Sequence, residues 1–435
     1  MNVRTRFAPS PTGPVHIGNI RVAIYNWLFA RHHGGSFLLR VEDTDRERST
    51  PEAIEMLLGA MNWLGLDVDE EPLYQSQRQQ AHLEVVDALI QKGHAYRAEK
   101  GGAGAGECVL FRMPDQAMVF TDAIKGELSK APEDMDDFVI VRSDGTPVFH
   151  LANVLDDIEQ QVTHVIRGDD HIENTFRHIA LYQALEASVP VFGHLPMIVN
   201  AQGKPYSKRD GDAFIGDFQA HGFLADALFN YLSLLGWSPG DDREIMSREE
   251  MIAAFSLERC QSSAAQVDVK KLSWMNYEYI LTLSEEQFRQ ATQEVLKQEQ
   301  ITAEKEQIDQ VIPLIRERVK TLSDIGPLSR FLFVDDYDYN EKAVSKKLMK
   351  EGVSETLSEL SGLLAAVEVF DATSLEELLH TYVEQSGKGF GAVMPPLRIA
   401  ISGEQGGPDL CPVLSILGRD EVVRRIARTQ ERFFD

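Results

Sequence analysis

RFAPSPTGPVHIGN, Arg6 to Asn19, is the stretch on which the reading of this chain turns. It joins a short strand, Val3 to Phe7, to a helix through a loop in which Pro9, Pro11, Gly13 and Pro14 forbid regular structure. From there Ile17, Ile20, Ile24, Trp27 and Leu28 recur at the spacing of one buried helix face. His16 and Gly18 therefore stand at a helix N-terminus. Free backbone N–H groups and the positive end of the helix dipole point outward there, and an imidazole adds one more hydrogen bond. Such a place suits phosphate, and Gly18 leaves no side chain between the backbone and a flat ligand such as adenine. The plainer alternative is a strand-loop-helix crossover with an incidental histidine, and HxGx alone does not separate the two.

Outward from this stretch, Gly34-Gly35 stops the helix and SFLLRVE, Ser36 to Glu42, reads as a buried strand, which completes a β-α-β unit and half of a nucleotide-binding sheet. Glu42 closes that strand. A carboxylate at the carboxyl end of a parallel strand sits where such sheets bind ligands and would attract an ammonium group; the alternative is a surface turn acid. Thr50 is an N-cap with Pro51 at the first helical position, and Ile54, Leu57, Leu58, Met61 and Leu64 form an apolar face ended by Gly65. A further helix is expected from about Ser76 to Gly93. After Arg97 the pattern breaks up through Gly101 to Gly106 into short strands, CVLFRM and DFVIVR, which read as a small β-rich insertion. The Asp144-Gly145 turn then leads to VFHLANVLDD, a strand from Thr163 to Arg167, and a helix opened by Asn174, so the sheet resumes. GKPYSKRDGDAF, Gly203 to Phe214, reads as a mobile loop that can close over a triphosphate with Lys204, Lys208 and Arg209 beside Ser207; its alternative is a solvated basic turn. From Gly222 helices take over: Leu224, Leu228, Tyr231, Leu232 and Leu235 share a face ended by Gly236, and little strand signal follows.

With 435 residues the length suggests about three domains. Hydrophobic residues at 43% and charged ones at 26% are globular values. There is no long apolar run and no charged-then-apolar leader, so no membrane span or signal peptide is indicated and a cytoplasmic protein is expected. Cys108, Cys260 and Cys411 are scattered, which argues against a disulfide framework and against zinc. A formal net charge of −25 argues against broad nonspecific binding of nucleic acid, DNA included, so any RNA face must be local. Acid gathers in Asp67 to Glu71 and Glu133 to Asp137, read as solvated loops. Base gathers late, at Lys342, Lys346, Lys347 and Lys350 and again at Arg419, Arg424, Arg425, Arg428 and Arg432.

R-F-A-P-S-P-T-G-x-x-H-I-G resembles the signature of class I glutamyl- and glutaminyl-tRNA synthetases, whose "HIGH" element holds ATP, and the likeness to the bacterial glutamyl pattern continues along essentially the whole chain. The resemblance implies that Pro11, Thr12, His16, Gly18 and Asn19, with Ser207, Lys208 and Arg209 of a "KMSKS"-like loop, bind ATP. His16 and Lys208 would be catalytic, through the phosphates, and magnesium would arrive with the ATP. EDTD, Glu42 to Asp45, resembles the family's RxEDTDxxR, in which the Glu helps hold the amino group of the substrate. Phe149, His150, Asn153 and Arg167 resemble its YHLAN and VIR segments. The implied glutamate site is Arg6, Ala8, Ser10, Glu42, Phe149, Asn153 and Arg167. The sequence departs from the family in three places: Phe149 replaces a tyrosine, Pro205 replaces the first lysine of the loop, and the shortened insertion holds only Cys108 where some relatives carry a zinc cluster. VDVKKLSWMNYEYI, Val267 to Ile280, resembles the segment that packs on the inner corner of tRNA. Arg318 and Arg398 fall where the family places anticodon-contacting arginines.

The expected fold is α/β, a Rossmann-type parallel sheet with a small inserted domain, followed by an all-helical anticodon-binding region. Expected boundaries are 1–77 and 144–200 for the two halves of the sheet, 78–143 for the insertion, 201–283 for the SKR loop and a stem-contact region, and 284–435 for two helical subdomains that part near 345. The expected activity is ATP-dependent ligation of L-glutamate to tRNA(Glu) through a glutamyl-adenylate, by a monomer without zinc, membrane or DNA partner. The rivals are a glutaminyl or non-discriminating enzyme, a nucleotidyl-transfer enzyme without RNA, a shorter relative that glutamylates a modified base, and a silent tRNA-binding homologue. The selectivity argument is physical. Arg6 and Arg167, each at a strand end, can converge on one side-chain carboxylate; guanidinium offers only donors, so a γ-amide would turn its NH₂ towards at least one of them. The alternative for Arg167 is a local salt bridge with Asp169 or Asp170.

Overall fold

The computed structural model describes residues 2–45, 48–100 and 106–434. It forms two compact units, residues 1–220 with 225–275 and residues 221–224 with 276–435.

The first unit begins with β1 (Arg4–Phe7), α1 (Ile17–His32), β2 (Ser36–Val41), α2 (Pro51–Trp63) and β3 (Leu73–Tyr74). β1 pairs with β2 and β2 with β3, both in parallel. The return from α1 to β2 depends on two glycines. Gly34 takes φ +60°, and a Cβ on Gly35 would lie 2.1 Å from the Val3 carbonyl oxygen, the same oxygen that accepts from Ser36 N at 2.8 Å. α1 is buried on more than the one face its apolar spacing marks. Arg21, Tyr25 and Asn26 are buried as well, because the segment carrying Phe229, Leu235 and Phe255 covers a second side; the Tyr25 hydroxyl donates to the Ser233 and Leu235 carbonyls there. Thr50 caps α2 by accepting from Ala53 N.

The expected single helix to Gly93 is instead a 3₁₀ turn, Gln75–Gln77, then α3 (Gln79–Glu84) and α4 (Val86–Gln91). The break falls at Val85-Val86, adjacent β-branched residues that crowd a helical turn. The insertion follows: β4 (Ala95–Lys100), β5 (Gly106–Phe111), β6 (Met118–Asp122), β7 (Gly126–Lys130) and β8 (Phe138–Val141). β4, β5 and β8 form an antiparallel sheet, and β6–β7 is a separate hairpin. Of the stretch Gly101 to Gly106, residues 101–105 lie outside the described residues. The acidic runs are less free than composition suggests. Asp67 accepts from Trp27 Nε1, Asp69 from Phe37 N, and Asp137 from the Tyr96 hydroxyl and Met113 N.

The sheet resumes with α5 (Phe149–Glu159), β9 (His164–Gly168), α6 (Ile172–Ala184) and β10 (Val191–Leu195), β9 and β10 being parallel. Thr163 N donates to Arg4 O at 2.9 Å and Asn26 Nδ2 to Ile166 O at 2.9 Å, which sets the β9–β10 pair alongside β1. Connections thus run away from β1 in both directions, and the crevice between the carboxyl ends of β1 and β9 is the switch point at which such sheets bind ligands. α6 starts two residues before Asn174, after a 3₁₀ turn at Asp169–His171, so Asn174 does not cap it; its amide contacts His171 Nδ1 instead. Then come β11 (Ile198–Val199), α7 (Ile215–Ala220), α8 (Ala225–Leu234), α9 (Arg248–Ala254), β12 (Ala265–Gln266) and α10 (Val269–Thr282).

In the second unit the described residues are helical: α11 (Glu285–Gln298), α12 (Lys305–Ile315), α13 (Ile325–Phe333), α14 (Glu341–Ala343), α15 (Val353–Ala366), α16 (Ala372–Ser386), α17 (Phe390–Ser402), α18 (Leu410–Leu417) and α19 (Arg419–Phe433). One core gathers Phe288, Leu296, Ile308 and Ile315, and another Leu357, Leu379, Leu397, Leu414 and Ile426. A π turn, Val344–Leu348, follows α14. Among the described residues no helix is long and apolar enough to cross a membrane.

Candidate active site

A cleft of about 720 Å³ opens at the carboxyl ends of β1 and β9. One wall is a chain of buried charge. Arg6 Nε meets Asp157 Oδ1 at 3.1 Å, Arg40 Nη1 meets the same oxygen at 2.5 Å, Arg40 Nη2 lies 3.5 Å from Glu42, and Asn153 Nδ2 donates to Glu42 at 2.8 Å. Asp157 stays below its ordinary range despite burial, because Arg40 and Arg6 face it. Glu42 is pushed up by burial, with Arg40 and Arg6 opposing.

Arg167 is the odd member. Its side chain is buried, yet among the described residues no carboxylate stands within ion-pair distance of it. Its donors go to Thr175 Oγ1 (2.7 Å), His194 Nε2 (3.4 Å), His178 Nδ1 (3.4 Å) and the His171 carbonyl (3.4 Å), all neutral acceptors. The salt bridge with Asp169 is not formed, since Asp169 takes Lys125 Nζ at 2.8 Å. Burial first, and Arg6 next, push the Arg167 guanidinium down to about 9. The same cations and burial keep the surrounding imidazoles neutral: His150 is pushed down to about 4 by burial and by Arg177 and Arg167, and His178 falls well below its ordinary value by burial and Arg167. Arg167 is thus a buried cation at the cleft with Asp157 and Glu42 acting on it only through space and no carboxylate in contact, which costs free energy until one arrives.

The other end of the cleft is built by α1. His16 is its N-cap: Nδ1 accepts from Gly18 N at 3.0 Å, so the neutral ring carries its proton on Nε2, and the ring bonds to the backbone of Tyr206. Burial lowers the His16 pKa and favours that neutral form. The SKR loop ends against the same helix start, through Ile17 N to Ala213 O (2.9 Å), Ile215 N to Val15 O (3.0 Å) and the edge-on contact of the His16 and Phe214 rings. With Gly18 N on His16 Nδ1 and Asn19 N and Ile20 N on His16 O, the N–H groups expected to be free at this end are all bonded within the protein, because the cap and the loop take them. Within the loop Asp210 accepts from Ser207 N, Ser207 Oγ and Asn200 Nδ2, and these bonds hold its carboxylate low.

All of Arg6, Ala8, Ser10, Glu42, Phe149, Asn153 and Arg167 line the cleft, as do Thr12, His16, Gly18 and Asn19. Pro11 is buried behind the loop, and Ser207, Lys208 and Arg209 lie off the lining, which takes Pro205 and Tyr206 from their loop. Lys208 is exposed, with Nζ 5.8 Å from the centre of the Phe214 ring. Residues that sequence reasoning missed also line the cleft, among them Arg21, His171 and Asn174. In the second unit, Arg318 Nη2 pairs with Asp409 at 2.7 Å, and Arg398 Nη1 donates to Pro408 O at 2.5 Å, so the two arginines share one corner. Arg318 is exposed, whereas burial and then Arg318 lower the Arg398 pKa. Among the described residues no group of three or more His, Cys, Asp or Glu side chains is placed to hold a metal, and Cys108 is buried with Sγ against Ala98 O.

Residues 2–104 and 98–274 match the family model described as "tRNA synthetases class I (E and Q), catalytic domain", and residues 285–430 match "Anticodon binding domain". The glutamate–tRNA ligase of Nitratidesulfovibrio vulgaris is 40% identical over 98% of this chain and 99% of its own length. That of Stenotrophomonas maltophilia is 41% identical over 98% of each. A glutamate tRNA ligase from Elizabethkingia meningosepticum, solved in complex with its amino acid, superposes with a TM-score of 0.87 at 30% identity over all of both chains. Sequence, sheet and relatives agree over the full length, and the chain belongs to the glutamate–tRNA ligase family of class I tRNA synthetases.

Proposed function

We propose that the cleft binds L-glutamate against the Arg6–Arg167 wall and ATP, taken up with its magnesium, against the start of α1, and that the enzyme joins glutamate to tRNA(Glu) in the cytoplasm. In the first step an oxygen of the α-carboxylate attacks the α-phosphorus and pyrophosphate leaves. In the second, a hydroxyl of the terminal adenosine attacks the acyl carbon and AMP leaves with the bonding electrons. No covalent enzyme nucleophile is required, so catalysis rests on orientation and charge stabilisation. His16 Nε2–H, on exchanging the Tyr206 backbone for ligand, serves as a phosphate donor at the positive end of the α1 dipole, and Lys208 reaches the phosphates when its loop closes. Glu42, held by Asn153 and Arg40, meets the substrate ammonium. The single observation that carries the choice of amino acid is the buried, carboxylate-free Arg167.

Arg318 and Arg398 are proposed to meet anticodon bases, since guanidinium planes stack on bases and fork to their edges. The test is aminoacylation of total tRNA with glutamate and with glutamine, beside ATP–pyrophosphate exchange with and without tRNA. Glutamate should be charged and glutamine refused, and Arg318→Ala or Arg398→Ala should lower charging while leaving exchange intact at saturating tRNA. Preference for glutamine, or no exchange with either amino acid, would sink the assignment.

A further inference from the structure

The inserted hairpin reaches the wall of the cleft through one buried carboxylate. Asp122, the last residue of β6, has no exposed side-chain surface; Oδ1 accepts from Ile124 N, Lys125 N and His194 N, and Oδ2 lies 2.6 Å from His194 Nδ1. His194, on β10, is equally buried. Its other nitrogen, Nε2, faces Thr175 Oγ1 at 2.9 Å and Arg167 Nε at 3.4 Å, and Thr175 Oγ1 accepts from Arg167 Nη2 at 2.7 Å. The ring is kept in plane by Phe192, stacked at 8°, over which the Arg167 guanidinium also lies.

Proton positions follow from these partners. An ionised Asp122 can only accept, so His194 Nδ1 must donate; burial keeps the imidazole neutral, and that leaves Nε2 bare. A bare Nε2, nearer to Thr175 Oγ1 at 2.9 Å than the His171 carbonyl at 3.2 Å, takes the larger share of the one hydroxyl proton and offers its lone pair also to Arg167 Nε–H. Thr175 Oγ1 is then free to accept from Nη2. Reversing the tautomer would aim an N–H at a guanidinium that has only N–H groups of its own.

We infer that Asp122 is a positioning residue for amino-acid selection: through His194 and Thr175 it presents two aligned acceptors that fix the Arg167 fork towards the glutamate side chain. This inference rests on the glutamate-binding reading above. The insertion therefore contributes to the amino-acid pocket without touching the amino acid.

The experiment compares the parent with Asp122→Asn, Asp122→Ala and His194→Gln in tRNA-supported pyrophosphate exchange, with KM measured separately for glutamate, ATP and tRNA. Exchange by the parent with glutamate tests the underlying reading by itself. Asp122→Asn keeps the shape but lets an amide N–H face Nδ1, and it should raise KM for glutamate about ten- to a hundredfold, the cost of one charge-assisted hydrogen bond, with KM for ATP and tRNA within about twofold. His194→Leu, measured beside these, should lose at least as much, and His194→Gln, whose side-chain oxygen can stand near the Nε2 position, should recover part of the His194→Leu loss. In ¹⁵N-histidine spectra, the signal that vanishes in His194→Gln should report the Nδ1–H tautomer in the parent and change in Asp122→Asn. A folded Asp122→Asn protein with parental KM for glutamate, or one in which all three KM values rise together, would overturn the inference. So would a parental His194 protonated on Nε2.

Discussion

At the scale of single residues, the cleft wall can be counted in charges. Arg6 and Arg40 are in direct contact with Asp157 and Glu42, whereas Arg167 touches neutral acceptors only, so it is the cation of the wall whose contacting carboxylate is missing. In the proposed pocket a glutamate side chain would supply that carboxylate, whereas glutamine would leave the buried charge without one. Unpairing such a group costs roughly 2 to 5 kcal/mol, and a site built around a missing hydrogen bond can discriminate by about 10⁴ without editing. Arg167→Cys should therefore collapse glutamate activation and narrow or reverse the preference over glutamine in exchange assays; parental glutamate kinetics in that variant would remove Arg167 from the pocket. Much of this wall is legible in sequence because Arg6, Glu42 and Arg167 are charged residues at the carboxyl ends of short strands, where a parallel sheet presents them to ligand. Arg40 and Asp157 were not legible. One sits inside a strand that reads as core, the other inside a helix, and the pairing spans 117 residues. Asp122 and His194, 72 residues apart, were hidden in the same way.

At the scale of elements, α1 and the SKR loop form one device, since backbone hydrogen bonds tie the end of the loop to the helix start. Lys208 rests with its ammonium over the Phe214 ring, beside His16 but off the cleft lining, so the role proposed for it requires it to leave the ring. Lys208→Ala should leave ATP binding largely intact and slow single-turnover adenylate formation by roughly two to three orders of magnitude, as for loss of one preorganised donor. Lys204→Ala, at an exposed site on the other side of Pro205, should change that rate less than about tenfold if Lys208 acts alone. A near-normal rate for the first variant would end its assignment, and equal losses in both would divide the role between them. Sequence legibility at this scale was uneven. The helix that Pro51 opens begins where its cap says, because Thr50 acts locally. The break at Val85-Val86 had a local signal in its two β-branched residues, but the start of α6 before Asn174 answers to the Asp169–His171 turn, which no local signal carries.

At the scale of the whole molecule, the histidines of the first unit make its stability a function of pH. His16, His150, His164, His171, His178 and His194 are all held below the ordinary imidazole value, each chiefly by burial. Between pH 6.5 and about 4, set by His150, the unfolded chain binds protons that the folded one refuses, so stability must fall as pH falls through that window. The upper bound is about 1.4 kcal/mol per pH unit for a fully buried imidazole such as His178, and solvent screening makes it less for the partly exposed ones. Calorimetry from pH 7 to 5 should show a falling unfolding temperature for the catalytic unit, with a shallower slope in His150→Gln; a flat profile would mean that these imidazoles are protonated in the fold. The hairpin β6–β7 bears on a different question, that of modularity. It is joined to the cleft wall by the Asp122–His194 pair, by Ala123 N to Phe192 O at 2.8 Å and by Lys125 to Asp169 at 2.8 Å. The insertion is consequently no detachable cassette. A chimera that exchanged it for the corresponding segment of a relative would transplant part of the amino-acid preference along with it, and a deletion meant to yield a minimal catalytic core would remove the ligands that hold its own arginine in register.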